Sequence, residues 1–257
     1  MKGPYLQNRG NRTSYLAWLV HGYTALGLVM AGVVAVLIVH GTDSAFRAAF
    51  LLLGLAMAVD ATDGWLARRV GVEEAIPWFD GRRLDDIIDF HTYTSLPLLL
   101  LWRAGVLEGA LAWILLLPLL ASAYGFSRVD AKTEDGYFLG FPSYWNVVTF
   151  YLFFLALPPA AATAILLAFS VLTVVPSRYL APSRPGPLSR TSNLLGAAWG
   201  LLVMAILVGM VEGPAWVVGS LFFPLFYLGA SWWVSLVGSR RRERDSEPSK
   251  GRGREGI

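Results

Sequence analysis

The sequence predicts an all-α, polytopic integral membrane bundle of about eight transmembrane helices with both termini cytoplasmic. Three observations carry this prediction. The apolar residues, 55% of 257 positions, fall in long blocks and not in short mixed patterns, which is what helices in lipid require. Only 15% of the residues are charged, where a soluble chain carries about a quarter, and the mean hydropathy is +0.53. The basic residues are also divided unequally between alternate loops, as described below.

A bilayer core takes about 20 apolar residues per helix. The first such segment, 16–39, follows the basic start MKGPYLQNRGNRTSYLAWLV. It is too long for a signal-peptide core and has no small-residue cleavage site, so it reads as a retained helix. Segments 44–67, 85–103 and 107–127 come next. Segments 144–157 and 160–176 are short, because Pro158-Pro159 separates them at what suits a tight outer turn. Segments 194–211 and 214–237 complete the set. With both termini inside, the inner segments hold nineteen of the 21 basic residues and only Arg47 and Arg103 fall outside. Shifting the count by one helix destroys this bias, so the positive-inside rule supports both an even number of spans and their direction.

Residues 1–238 read as a single membrane domain. The stretch from Ser239, SRRRERDSEPSKGRGREGI, reads as a disordered basic cytoplasmic tail, serving as a topology anchor or attracting anionic lipid. The net charge of +3 then needs no nucleic-acid partner. The absence of cysteine excludes disulfides, thiolate metal sites and cysteine nucleophiles.

Carboxylates break into this apolar pattern at one place. Twelve uncharged residues, 48–59, run directly into DATDGWLARR, residues 60–69. Asp60, Asp63, Asp85, Asp86 and Asp89 flank a single inner loop. Positions three and four apart share a helix face, so Asp60 projects with Asp63 and Asp85 with Asp89, while Asp86 is rotated away. Gly64 leaves a gap in the row 60–64–68, and Gly81 is a second point of close backbone approach. Four facing carboxylates repel unless cations intervene, and hard divalent ions such as Mn²⁺ or Mg²⁺ suit an all-oxygen site. Two such ions clamp phosphate oxygens well, with Arg68 as a forked donor to phosphate. Spacing alone leaves open a transporter's cation site and structural ion pairs with the neighbouring arginines.

The eight residues Asp60, Asp63, Gly64, Ala67, Arg68, Gly81, Asp85 and Asp89 stand in the order D-x2-D-G-x2-A-R…G-x3-D-x3-D, which resembles the motif of the CDP-alcohol phosphotransferases. The twelve-residue gap between Arg68 and Gly81 is longer than in much of that family. Together with AWLVHGYT (17–24) and the segment from Tyr124 to Asn146, it is most similar to the bacterial members that use choline. The likeness runs from about Trp18 to Trp233 and leaves out only the tails.

The resemblance implies an enzyme of the bacterial cytoplasmic membrane, with its site facing the cytoplasm. It would take CDP-diacylglycerol and choline, release CMP and leave its product among the membrane phospholipids. It further implies that Asp60, Asp63, Asp85 and Asp89 hold two ions, Mn²⁺ as the usual metal and Mg²⁺ as the alternative. Asp89 would also act as the base for the choline hydroxyl. Gly64, Ala67 and Arg68 would lie along the CDP moiety and Gly81 would let the loop close. A homodimer is common in the family. Other acceptors within the family (serine, inositol or glycerol phosphate) and, more remotely, a cation-coupled transporter remain as alternatives.

Quaternary ammonium groups are commonly held by aromatic faces. The candidates near the acids are Phe90 and Tyr93, with Tyr124, Tyr144 and Trp145 at the inner ends of the fourth and fifth segments. Asn146 reads as a packing residue or one orienting a hydroxyl or carboxylate. His21 and His40 read as packing and interfacial residues, and His91 as structural or supporting. Asp80 and Asp86 read as loop or helix-start contacts. Lys132 and Glu134-Asp135 lie in an inner loop that either covers the site or is simply solvated.

Overall fold

A computed structural model describes residues 4–133, 136–181 and 188–246, with side chains described from Thr13 to Leu236 within them. Helix α1 (Pro4–His40) turns through Gly41 (φ 67°) into α2 (Asp43–Val70). The Thr42 hydroxyl caps α2 by accepting from the amide of Ala45 at 3.2 Å. The two helices pack along a seam at three- and four-residue spacing. Ala17, Val20, Thr24, Ala31, Val34 and Ile38 line one side, and Ala45, Ala49, Leu53 and Ala56 the other. Small residues on this seam let the backbones come close, as helices in lipid favour.

Gly71 ends α2 in the left-handed region, with its N–H on the carbonyl of Ala67. The short α3 (Val72–Ala75) returns to α1, where Val72 and Ile76 pack on Ala17 and Val20. Asp80 then caps α4 (Gly81–Asp89), accepting from the amide of Arg83 at 3.2 Å, which is the helix-start role expected for it.

The third expected segment is not one regular helix. After α4 the chain passes through a π-helical turn, Phe90–Ser95, before α5 (Leu96–Arg103). Pro97 explains the widening. It has no N–H for the carbonyl of Tyr93, and its ring crowds that carbonyl. The N–H of Leu96 accordingly reaches back five residues, to His91.

A 3₁₀ stretch (Gly109–Leu115) leads into α6 (Leu116–Ser127), followed by β1 (Tyr137–Leu139), α7 (Trp145–Phe154) and α8 (Pro159–Val174). Strand β2 (Arg178–Leu180) pairs antiparallel with β1, Tyr137 opposite Leu180 and Leu139 opposite Arg178. These six strand residues are a small addition to the all-α reading. They tie the loop after α6 to the loop after α8. Helices α9 (Ser189–Leu207), α10 (Pro214–Ser220) and α11 (Phe222–Ser246) follow. Helix α11 continues into the stretch read as the basic tail, and residues 247–257 of that tail lie outside the described residues.

Each of the eight expected segments is helical. Five described helical stretches are long and apolar enough to cross a membrane: 13–40, 43–70, 109–127, 189–207 and 214–236. Two more, Trp145–Phe154 and Pro159–Val174, are apolar but shorter. The outward surface agrees with a lipid surround, since Val29, Val39, Leu201, Met210 and Leu225 are each more than half exposed. The chain is therefore an all-α, multi-pass membrane protein. One core joins α1, α2, α5, α7, α9 and α10 around Phe50, Leu100 and Phe150. A second gathers α5 to α8, both strands and α11 around Trp145 and Tyr179.

Candidate functional site

The acids expected on two helices meet in space. One carboxylate oxygen from each of Asp60, Asp85 and Asp89 lies within 4.8 Å of the others. Asp60 comes from the second half of α2, and the other two from successive turns of α4. All three are half-buried. An arrangement of oxygen donors alone, at this mutual distance, fits a hard divalent cation, so the residues present suit the metal that the sequence implies.

Asp63 stands beside this group, buried at 5% exposure, and its Oδ2 accepts a hydrogen bond of 2.8 Å from the Thr24 hydroxyl of α1. Asp60 is held in a comparable way, with its Oδ2 accepting from the Tyr93 hydroxyl at 2.6 Å. The π-helical turn carries Tyr93, so the widened backbone and an acid of the cluster are joined directly. Asp86 is half-buried and falls outside the group of three, as its rotation on α4 requires.

The two motif glycines are filled in different ways. A side chain at Gly64 would start 3.4 Å from Nη1 of Arg68, so the guanidinium folds back over the gap in its own row. At Gly81 the space belongs to another helix: a Cβ there would lie 2.6 Å from Cε1 of His21. His21 packs among Trp18 and Phe79, with ring centroids 5.7 and 4.5 Å away. The packing role expected of it is therefore present.

Among cations near the site, Arg128 is taken up by Asp130 through two hydrogen bonds of 2.8 Å. These hold the Asp130 carboxyl below the ordinary carboxylate range. Lys132 lies on the same loop, bridged to Phe138, and its positive charge acts on all five acids, Asp60, Asp63, Asp85, Asp86 and Asp89. Glu134 and Asp135 of this loop lie outside the described residues.

The aromatic candidates separate by position. The Tyr93 ring lies 5.8 Å from that of Tyr144, which lies 5.8 Å from that of Tyr227. This row leads from the acid cluster to α11. Phe90 meets Phe126 edge-on at 5.7 Å. Tyr124 is exposed, with Arg128 over its ring at 5.7 Å. Trp145 is wholly buried in the second core and donates its Nε1–H to Ser122 at 2.7 Å. Asn146 is buried, accepts from the amide of Val147 at 2.9 Å and has its Nδ2 at 3.8 Å from Sδ of Met57. That is packing near the start of α7. His91 is exposed and bonds Ser95 at 3.0 Å, one turn along, a local structural contact.

Sequence reasoning assigned no role to Thr24 or Tyr227. The signal for Thr24 was present, since HGYT, residues 21–24, interrupts an apolar run. Tyr227 gave none, being one aromatic among many on an apolar helix.

No family model matches the chain. Curated proteins do. It is 34% identical over 245 residues to a phosphatidylcholine synthase of Legionella pneumophila, covering 91% of this chain and 92% of that one. A protein of the same name from Pseudomonas aeruginosa is 38% identical over 169 residues, 65% of this chain and 70% of that one. One from Agrobacterium fabrum is 35% identical over 205 residues, 79% and 83% of the two chains.

Proposed function

The chain belongs to the phosphatidylcholine synthase family, and from that premise we propose that it transfers the phosphatidyl group of CDP-diacylglycerol to choline and releases CMP. The observation that carries this reading is the convergence of Asp60, Asp85 and Asp89 within 4.8 Å from two helices. A site built for a hard cation, at one end of an apolar bundle, suits a lipid donor with a diphosphate head. Its acyl chains stay in the bilayer, while soluble choline and CMP exchange with the aqueous side. We place that side in the bacterial cytoplasm.

Asp60, Asp85 and Asp89, with Asp63 beside them, would hold two divalent ions, Mn²⁺ or Mg²⁺. Such ions neutralise diphosphate charge and ease the departure of CMP. In the reaction the choline oxygen forms a bond to the phosphatidyl phosphorus as the bond from that phosphorus to the CMP oxygen breaks. The hydroxyl proton passes to a carboxylate, and Asp89 is that base. Tyr93 and Thr24 fix the oxygens of Asp60 and Asp63 through bonds of 2.6 and 2.8 Å, so that two of the four acids are oriented by neighbouring hydroxyls.

Gly64, Ala67 and Arg68 line the nucleotide side, and the Lys132 ammonium adds positive charge toward the diphosphate. The row Tyr93, Tyr144 and Tyr227 is the wall for the quaternary ammonium, which aromatic faces attract and which offers no N–H for hydrogen bonding. Phe90 stands next to this row, while Trp145 contributes by packing behind it.

The test is purified protein with Mn²⁺, CDP-diacylglycerol and labelled choline. Labelled phosphatidylcholine and CMP are expected in equal amounts, and Asp89→Asn is expected to reduce both to the blank. CMP release with serine, inositol or glycerol phosphate, but never with choline, would sink the choice of acceptor.

A further inference from the structure

We propose that His21 contacts the nucleotide of the CDP-linked donor, its Nε2 making with that ligand the hydrogen bond that the protein leaves unmade. The proposal rests on the function proposed above. His21 is only 6% exposed, and its Nε2 has no hydrogen-bond partner among the described residues. Burying an imidazole nitrogen unpaired costs free energy, and native proteins rarely keep such a group without a reason. Packing alone does not give one. The surrounding rings of Trp18 and Phe79 would accept phenylalanine in the same space, with no polar atom to satisfy.

The position points to the nucleotide. The imidazole occupies the space of the missing Gly81 side chain, Nε2 lying 3.8 Å from where that Cβ would be. Gly81 is one turn before Asp85 on α4. Thr24, one turn along α1 from His21, bonds Asp63. A ligand lying along the motif from Gly64 to Gly81 therefore passes this ring. A neutral imidazole nitrogen gives or accepts one hydrogen bond according to tautomer. Ribose hydroxyls and the cytosine amino and carbonyl groups offer both kinds of partner. The choline ammonium bears no N–H and the acyl chains carry no polar atom, so the demand falls on the donor's nucleoside.

The experiment uses the full-length detergent-purified protein. The KM for CDP-diacylglycerol, the KM for choline and the inhibition constant of CMP are measured for wild type, His21→Phe and His21→Gln. His21→Phe is expected to raise the donor KM and weaken CMP inhibition about tenfold, the size of one lost hydrogen bond, with the choline KM unchanged. His21→Gln, which returns an amide near the Nε2 position, is expected to recover most of the loss. Wild-type donor KM and CMP inhibition in His21→Phe would make His21 a packing residue and overturn the proposal. Equal rises in both KM values, or a loss of kcat with CMP inhibition intact, would overturn it too, because His21 would then act through the placement of α4.

Should His21→Phe not fold, the near-isosteric pair His21→Gln and His21→Met makes the same comparison. CMP binding retained by Gln and lost by Met supports the proposal, and equal binding ends it. CMP binding to wild type and variants is also measured by calorimetry. A wild type that binds CMP but transfers to no choline would sink the proposed acceptor while still testing His21.

Discussion

At the scale of single residues, the site depends on side chains that touch no substrate. The carboxylate of Asp63 is buried, and among the described residues the hydroxyl bonded to it comes from Thr24 on a different helix. A hydrogen bond to a charged group contributes about 1.5–3 kcal/mol, and losing a partner that orients a metal ligand typically weakens metal binding about 10- to 100-fold. Thr24→Val keeps the shape and removes the donor. We expect the Mn²⁺ concentration for half-maximal CMP release to rise at least about tenfold, and Thr24→Ser to restore it. A Mn²⁺ titration that does not move in Thr24→Val would mean that Asp63 needs no orienting group. Legibility in the sequence was uneven at this scale. Asp60, Asp85 and Asp89 could be read because helical spacing and a long apolar run make buried carboxylates conspicuous. Tyr227 could not, because its partner Tyr144 lies far away in sequence, and Thr24, although conspicuous as a polar break in an apolar run, gave no sign that its partner is Asp63 on another helix. Trp145 shows the converse: its place at the end of the fifth expected segment marks it as a binding candidate, while its side chain is buried in the second core and bonded to Ser122.

At the scale of elements, the π-helical turn Phe90–Ser95 joins two demands on one segment. Below it, α4 must present Asp85 and Asp89 to Asp60. Above it, Leu96 and Leu100 pack in the first core. A regular helix advances about 100° per residue, so the extra residue of the π turn rotates one half against the other and brings the Tyr93 hydroxyl to Asp60. Pro97 enforces the turn by withholding an N–H from the Tyr93 carbonyl. Pro97→Ala restores that N–H and lets the segment relax toward α-helix. The expected result is a folded protein whose half-activating Mn²⁺ concentration is raised about tenfold, the effect of a displaced ligand partner. Metal dependence identical to wild type would show that packing, and not Pro97, holds the turn. The apolar run made the segment visible as one helix from 85 to 103, but hydrophobic periodicity does not resolve a single inserted residue. The six strand residues escaped for a similar reason, since three-residue strands are shorter than any pattern that alternation can reveal.

At the scale of the whole molecule, everything that bears on the chemistry gathers at one end of the bundle. The middle of α1, the second half of α2 and the length of α4 carry Thr24, the acids and Gly81. The β1–β2 ladder draws the loops after α6 and α8 to the same end. There the amides of Arg178 and Leu180 donate to Ser235 and Ser231 of α11 at 3.3 and 3.1 Å. We propose from the positive-inside rule that this end faces the cytoplasm, with Arg47 and Arg103 as the two basic residues opposite. The chain contains no cysteine, so each introduced thiol reports on its own. Ser44→Cys lies at the opposite end, at the start of α2. Val129→Cys, at a fully exposed position, lies on the loop after α6. In right-side-out vesicles a membrane-impermeant maleimide is expected to label Ser44→Cys and to spare Val129→Cys until the vesicles are opened. Inside-out vesicles should reverse the pattern. Labelling of Val129→Cys alone in right-side-out vesicles would place the acid cluster on the outer side, away from the cytoplasmic choline and CMP that the proposed reaction exchanges. The orientation and the chemistry thus stand on separate measurements, one made with a thiol reagent and the other with labelled choline.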